Sequence, residues 1–395
     1  MPFSTRLRAA CHRTLVLAIA PLALAFSQAG PALQGDGVSA AARTNGPFRT
    51  AVSPEMGMHL FIWGDAVATA RDLERVGALR FTWQKSLFQW RYIEPARGLF
   101  VWDEADRVVQ ASAAAGIKVI ARVDYPPQWA RADGVNGPPD RLADFGAFVF
   151  ALADRYRPGS PHGSIAAIEM WNEPNLYRDW GGVRIGWRTA AEYVRLLCTG
   201  HRAAKRANPE VITITAALTP TGVFGGPAVD DVIFLSWLYD LGARPCFDVV
   251  GAHGVGFKAP PWISPKELAE NPEWGGHASF GLRRVEQLRE VMERYEDAEK
   301  QIWLTEFGWT SDPITPTFSW YRVTEQEKGE YIVAAFRWAR EHWRPWIGVM
   351  VVWNMPARDW RESREEYWWS ITNPDGSTRP AYERLLDARR NGELP

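Results

Sequence analysis

Short apolar runs alternate with longer amphipathic ones through most of the chain, and this alternation constrains the fold more than any other feature. Runs that read as strands fall near Gly57 to Phe61, Ala78 to Thr82, Ile117 to Val123, Ile165 to Trp171, Val211 to Ala216, Asp248 to Ala252, Ile302 to Thr305 and Gly348 to Trp353. The segments between them read as helices. Thr189 with Glu192 and Thr324 with Glu327 have capping-box spacing, and Asp103, Glu104 and Asp106 put acids in a first turn. Tyr193, Leu196, Leu197 and Gly200 recur at i, i+3, i+4 and i+7, as do Tyr331, Ala334, Ala335 and Trp338, so each of these helices has one stripe to bury.

The connections are unequal. From helix to strand the chain needs a breaker or two (Gly77, Gly116, Asn208-Pro209, Arg344-Pro345), whereas long segments follow the strands: 175–188, 254–280, 307–323 and 354–380. Long loops in a compact domain usually carry function. Strand-helix units with every elaborate loop on one side predict a (β/α)8 TIM barrel, an α/β fold whose site lies at the C-terminal ends of the strands. A doubly wound sheet fits less well, since no Gly-x-Gly-x-x-Gly follows the first strand and no phosphate-binding loop is present.

Two strand ends carry carboxylates. Ile168-Glu169-Met170-Trp171-Asn172-Glu173-Pro174-Asn175 runs apolar and then breaks in polar and proline residues, while Ile302-Trp303-Leu304-Thr305-Glu306-Phe307-Gly308 ends the same way. In a barrel Glu173 closes the fourth strand and Glu306 the seventh, so both face one mouth as an acid/base pair. Asn172 precedes Glu173, His253 ends the sixth strand, Trp353 ends the eighth and Arg80 lies in the second. Glu169, sharing strand parity with Glu173, is expected to point into the barrel in a structural ion pair. His59, Asp124 and Tyr125 are candidates for the mouth, although His59 is as readily a hydrogen-bonded core histidine.

Composition narrows the chemistry. The net charge of −1 gives no reason to expect nucleic acid or an anionic membrane as partner. The 21 tryptophans are many, and several (Trp63, Trp90, Trp129, Trp180, Trp262, Trp274, Trp309, Trp360) fall in predicted loops, where flat apolar faces suit the C–H faces of sugar rings. The histidines are scattered and no His-x-His stands at the first strand, so neither a metal nor another cofactor is expected.

The N-terminus reads as an address. Arg6, Arg8 and Arg13 precede an apolar segment from Leu15 to Phe26 that is too short to span a bilayer and ends in Ser27-Gln28-Ala29. Residues 1–29 are expected to be a signal peptide and 30–50 a Gly/Ala/Ser-rich linker, with residues 51–395 forming the barrel. The mature protein would then be secreted or periplasmic and off the membrane. Cys198 and Cys246 remain, as one bridge or as two thiols. Oligomeric state is not encoded in any of these features.

Trp-Asn-Glu-Pro-Asn at 171–175 together with Thr-Glu-Phe-Gly-Trp at 305–309 resembles the retaining glycoside hydrolases of clan A, family 39-like members first and the cellulase-type family 5 next. The resemblance runs from about Pro54 to the end and includes Arg80-Phe81-Thr82-Trp83, Glu94-Pro95-x-x-Gly98 and Asn373-Pro374-Asp375-Gly376. It implies Glu173 as general acid/base and Glu306 as nucleophile. It further implies Asn172 on the sugar 2-hydroxyl, Arg80 orienting the nucleophile, Trp353 as subsite floor with a non-proline cis bond after it, and His253 near the nucleophile. In such a pair the carboxyls lie about 5 to 5.5 Å apart, too close for an intervening water, so one attacks the anomeric carbon and configuration is retained. Glu173 would keep its proton near neutral pH beside ionised Glu306. The substrate class is a polysaccharide or oligosaccharide. A transglycosylase on the same scaffold, or a barrel that binds carbohydrate without cleaving it, are the alternatives.

Overall fold

The computed structural model describes residues 51–394; the expected leader and linker lie outside the described residues. The strands are β1 (Glu55–Leu60), β2 (Trp83–Leu87), β3 (Lys118–Val123), β4 (Ala167–Met170), β5 (Ile212–Thr215), β6 (Val250–Val255), β7 (Ile302–Gly308) and β8 (Ile347–Met355). They form one 8-stranded sheet in which every pairing is parallel and β1 lies between β2 and β8. Parallel bridges from Ile214 to Val249 and from Leu218 to Ala252 join β5 to β6 and close the sheet into a barrel. The barrel helices are α1 (Ala66–Ala78), α2 (Asp103–Ala114), α3 (Leu142–Arg155), α4 (Trp187–Ala207), α5 (Asp231–Asp240), α6 (Arg284–Arg294), α7 (Glu325–His342) and α8 (Pro380–Arg390), one after each strand, and shorter helices such as Glu365–Trp369 lie in the segments that follow the strands. The fold is the expected (β/α)8 barrel.

Alternation along the strands sets what fills it. On β2, Trp83, Lys85 and Leu87 share one face, as do Ile120 and Arg122 on β3 and Ala167 and Glu169 on β4, because successive side chains point to opposite faces. The lowest layer is apolar, with Trp83 and Trp303 meeting edge to face at 5.0 Å among Ile120, Ala167, Val349 and Val351. The middle layer is charged: Lys85 Nζ lies 2.7 Å from Glu169 Oε2, and Thr305 Oγ1 donates to Glu169 Oε1 at 2.6 Å. Glu169 is therefore the buried ion pair expected of it.

Local reading of the helices needs three corrections. β2 starts at Trp83, five residues beyond the expected start at Ala78, because α1 runs through Gly77 to Ala78 and the chain then turns at Arg80 with a left-handed φ of 53°. α4 begins at Trp187, so Thr189 is not its cap but sits inside the first turn, where its Oγ1 accepts from Gly186 N at 2.9 Å. The buried face of α7 runs through Ile332, Ala335, Phe336 and Ala339, rotated from the expected stripe, although its Thr324/Glu327 capping box is present. The expected stripe of α4 is buried as read. At Gly200 a Cβ would lie 2.8 Å from Met170 Sδ, so the missing side chain lets α4 press against β4. Tyr193 Oη then donates to Met170 O at 3.2 Å and accepts from Ala216 N at 2.6 Å, tying the upper ends of β4 and β5 together. Cys198 of α4 is bonded to Cys246, so the thiols are bridged. Among the described residues no helix is long and apolar enough to cross a membrane.

Candidate active site

Glu173 is held by the chain just past β4. Trp171 and Glu173 both have positive φ, 86° and 36°, a conformation that costs non-glycine residues roughly 1–3 kcal/mol each. The turn is pinned by Trp171 N donating to Val123 O (3.0 Å), Glu173 N to Ala217 O (3.1 Å) and Trp171 Nε1 to Asp179 O (2.8 Å). These bonds hold the carboxylate over the barrel mouth.

Glu306 arrives by a different device. Ala252 pairs with Leu304 but His253 pairs with Glu306, so Thr305 is an extra residue in β7. This bulge breaks the alternation and turns both Thr305 and Glu306 inward. Thr305 reaches down to Glu169, while Glu306 Oε1 accepts from Lys85 Nζ at 3.0 Å and lies 3.4 Å from Arg122 Nη1 and 3.3 Å from His59 Nδ1.

The two carboxylates share one imidazole. His253 Nδ1 lies 2.8 Å from Glu173 Oε1 and its Nε2 lies 3.6 Å from Glu306 Oε2. Thr219 Oγ1 also donates to Glu173 Oε1, and Arg178 Nη2 donates to Oε2 at 2.8 Å. Burial opposes ionisation of both acids, but the charges and hydrogen-bond donors around them outweigh it. Arg178 and His253 hold Glu173 well below the usual carboxylate range, and His253, Lys85 and His59 do the same for Glu306. In this arrangement Glu173 is ionised, contrary to the expectation that it keeps its proton near neutral pH. The cause is Arg178, which stands in the short 3-10 turn Tyr177–Asp179 and has no signature in the local pattern.

The predicted residues separate into those that meet and one that does not. Asn172 accepts from Arg122 Nη1 at 3.0 Å and donates to Asp179 Oδ1 at 3.2 Å, so its amide is fixed beside Glu173. Trp353 meets His59 edge to face at 4.6 Å, and its bond to Asn354 is cis. Arg80 is absent from the group. It is exposed in the turn before β2, where its carbonyl faces Arg389 near the N-terminal ends of the strands, and Lys85 and Arg122 take the place assigned to it. His59 is fully buried, stacked on Phe61 at 4.7 Å, and burial pushes its pKa down to about 3, which makes it a neutral contact. Asp124 is buried 3.1 Å from Arg122 Nε, and burial pushes it up to about 6.

Glu173, Glu306, Asn172, His253 and Trp353 line one cavity of about 550 Å³. Besides Arg122, sequence reasoning missed Arg178, Thr219, Asp179 and Glu365 in its lining. Glu365, on the segment after β8, accepts from Trp369 Nε1 at 2.7 Å, and burial with Glu366 nearby pushes its carboxyl up to about 7. Aromatic walls (Phe61, Tyr125, Phe318, Trp353, Trp360, Trp369) alternate in the cavity with hydrogen-bonding groups. This combination fits a ligand with apolar faces and hydroxyl edges.

No protein-family model matches the chain, and no curated protein matches it in sequence. Solved structures match its fold. A family 39 glycoside hydrolase from the gut symbiont Bacteroides cellulosilyticus superposes with a TM-score of 0.61 at 21% identity, covering 85% of this chain and 64% of that one. The chain thus spans less than two thirds of that enzyme. A family 39 β-xylosidase from Caulobacter crescentus gives a TM-score of 0.55 at 18% identity over 87% of this chain and 72% of that one. A family 5, subfamily 18, protein from Streptomyces cattleya, solved with GlcNAc, gives 0.59 at 16% identity over 87% and 82%. The chain shares the (β/α)8 barrel fold of these family 39 and family 5 structures.

Proposed function

We propose that the protein is an exported retaining glycoside hydrolase acting on O-glycosidic bonds of an oligosaccharide or polysaccharide, with Glu306 as nucleophile and Glu173 as general acid/base. The observation that carries this reading is a pair of largely buried strand-end carboxylates contacting the same imidazole in one aromatic-walled cavity. The likeness to family 39 and family 5 structures supports it.

Glu306 is ionised and oriented by Lys85 and Arg122, so it can attack the anomeric carbon without first losing a proton. As the carbon–oxygen bond to the leaving group breaks, that oxygen takes the bonding pair and a proton from Glu173. In the second step Glu173 takes a proton from water, water oxygen bonds to the anomeric carbon, and Glu306 departs. Trp353 gives the sugar a flat apolar floor, and Asn172, fixed between Arg122 and Asp179, faces its hydroxyls. Glu173 must hold a proton at the outset. Arg178 therefore has to leave Oε2 when the leaving group enters.

The test is the anomer first formed from a chromogenic glycoside, followed by proton NMR before mutarotation. Retention, with Glu173→Ala losing turnover on poor leaving groups more than on good ones, supports the proposal. Inversion, or turnover untouched by Glu173→Ala, overturns it.

A further inference from the structure

A second cavity opens beside the first. It has about 130 Å³, room for several waters at ~30 Å³ each, and it shares Phe61, Leu87 and Gln89 with the main cavity. Its own walls are Trp63, Tyr92 and the segment after β8 at Ala357. Trp63 is braced edge-on against buried Phe88 at 5.7 Å, and Tyr92, half exposed, carries the Arg91 guanidinium 4.9 Å from its ring centroid. Their polar atoms are not used: with the described residues, Trp63 Nε1 and Tyr92 Oη make no hydrogen bond, and Gln89 engages only Oε1, which accepts from Arg91 Nε at 3.0 Å. Unused donors around an aromatic wall are the recognition chemistry of a sugar ring, whose C–H face is apolar and whose rim is hydroxyl.

Position decides which part of a substrate would lie there. This step rests on the reading of Glu173 as proton donor. The leaving oxygen must sit at Glu173, above β4, so the leaving group lies toward β4 and β5. The second cavity lies above β1 and β2, past Phe61, which meets Trp353 edge-on at 5.4 Å. A ring on Trp353 therefore stands between Glu173 and the second cavity.

We infer that the cavity walled by Trp63, Tyr92 and Gln89 is a second sugar subsite on the glycone side, and that the preferred substrate carries at least one further sugar beyond the ring attached to the scissile bond. The enzyme would then release disaccharides or cut within chains in preference to trimming single sugars.

Two chromogenic pairs test it: 4-nitrophenyl β-xyloside against β-xylobioside, and β-glucoside against β-cellobioside. The expected result for wild type is a disaccharide-to-monosaccharide ratio of kcat/KM of tenfold or more in one pair, falling toward one in Trp63→Ala and several-fold in Tyr92→Phe, with circular dichroism confirming that each variant is folded. A ratio near one in wild type, or a ratio that survives both substitutions, overturns the inference. Calorimetry of xylobiose and cellobiose on Glu306→Gln separates this from the hydrolase reading. Disaccharide binding that Trp63→Ala removes supports the subsite even without turnover, and no binding of either disaccharide overturns it.

Discussion

Replacing Arg178 by Gln tests the electrostatics of the site at its most exposed point. Arg178 Nη2 lies 2.8 Å from Glu173 Oε2, and the side chains are 61% and 10% exposed. A unit charge pair at about 4 Å is worth ~4 kcal/mol at an effective dielectric of 20 and ~1 kcal/mol in bulk water. With the guanidinium mostly in solvent, a value near the middle, about 2 kcal/mol, is appropriate, equivalent to roughly 1.5 pKa units. The sign follows from the charge: removing a cation that favours the ionised form lets the Glu173 pKa rise. Its remaining neighbours are His253 from β6, Thr219 after β5, Glu306 on β7 and Asp179 on its own loop, with Glu365 across the cavity. The alkaline limb of the kcat/KM profile reports the acid of the free enzyme. That limb should move up by roughly 1.5 pH units in Arg178→Gln and stay in Arg178→Lys. The acid limb, set by Glu306 with Lys85 and His253, should not move. An alkaline limb unmoved in folded Arg178→Gln would refute the assignment of Arg178 as the group that holds Glu173 ionised.

Two further substitutions probe the scaffold. Lys85 is fully buried between Glu169 at 2.7 Å and Glu306 at 3.0 Å, so Lys85→Met leaves two buried carboxylates without their shared cation; chemical denaturation should show a loss of about 3–5 kcal/mol, and activity should fall with it. Cys198→Ser opens a bridge across a sequence separation of 48 residues, for which chain entropy gives about 4 kcal/mol, so the thermal midpoint should drop in oxidised protein and not change when wild type and variant are compared under reductant.

The two motifs that announced the site were legible because each is local: an apolar run, a carboxylate, then a breaker. Their meeting followed from the barrel, since all its strands end at one mouth. What was not legible is equally specific. Trp83-Gln84-Lys85-Ser86-Leu87 is a strand whose three central residues are polar and buried, so hydrophobic patterning passed over it and chose the apolar residues before it. That slip placed Arg80 in the barrel and hid Lys85. The bulge at Thr305 leaves no sequence trace, because it exists only in the register between β6 and β7. Arg178 stands in a three-residue 3-10 turn and Glu365 opens a five-residue helix, elements too short for period to have meaning, so their position is set by tertiary contacts. Cys198 and Cys246 could be counted but not paired, since pairing depends on α4 lying against the connection before β6.

The central claim is that Glu306 becomes covalently attached to sugar. Mass spectrometry of the intact protein after incubation with a panel of activated 2-deoxy-2-fluoro glycosides measures this directly, with Glu306→Gln as control. A mass increase of one fluorosugar that maps to Glu306 and is missing from the control is the predicted result. A protein that hydrolyses the parent glycosides yet gains no mass, or gains it on a residue other than Glu306, would contradict the account.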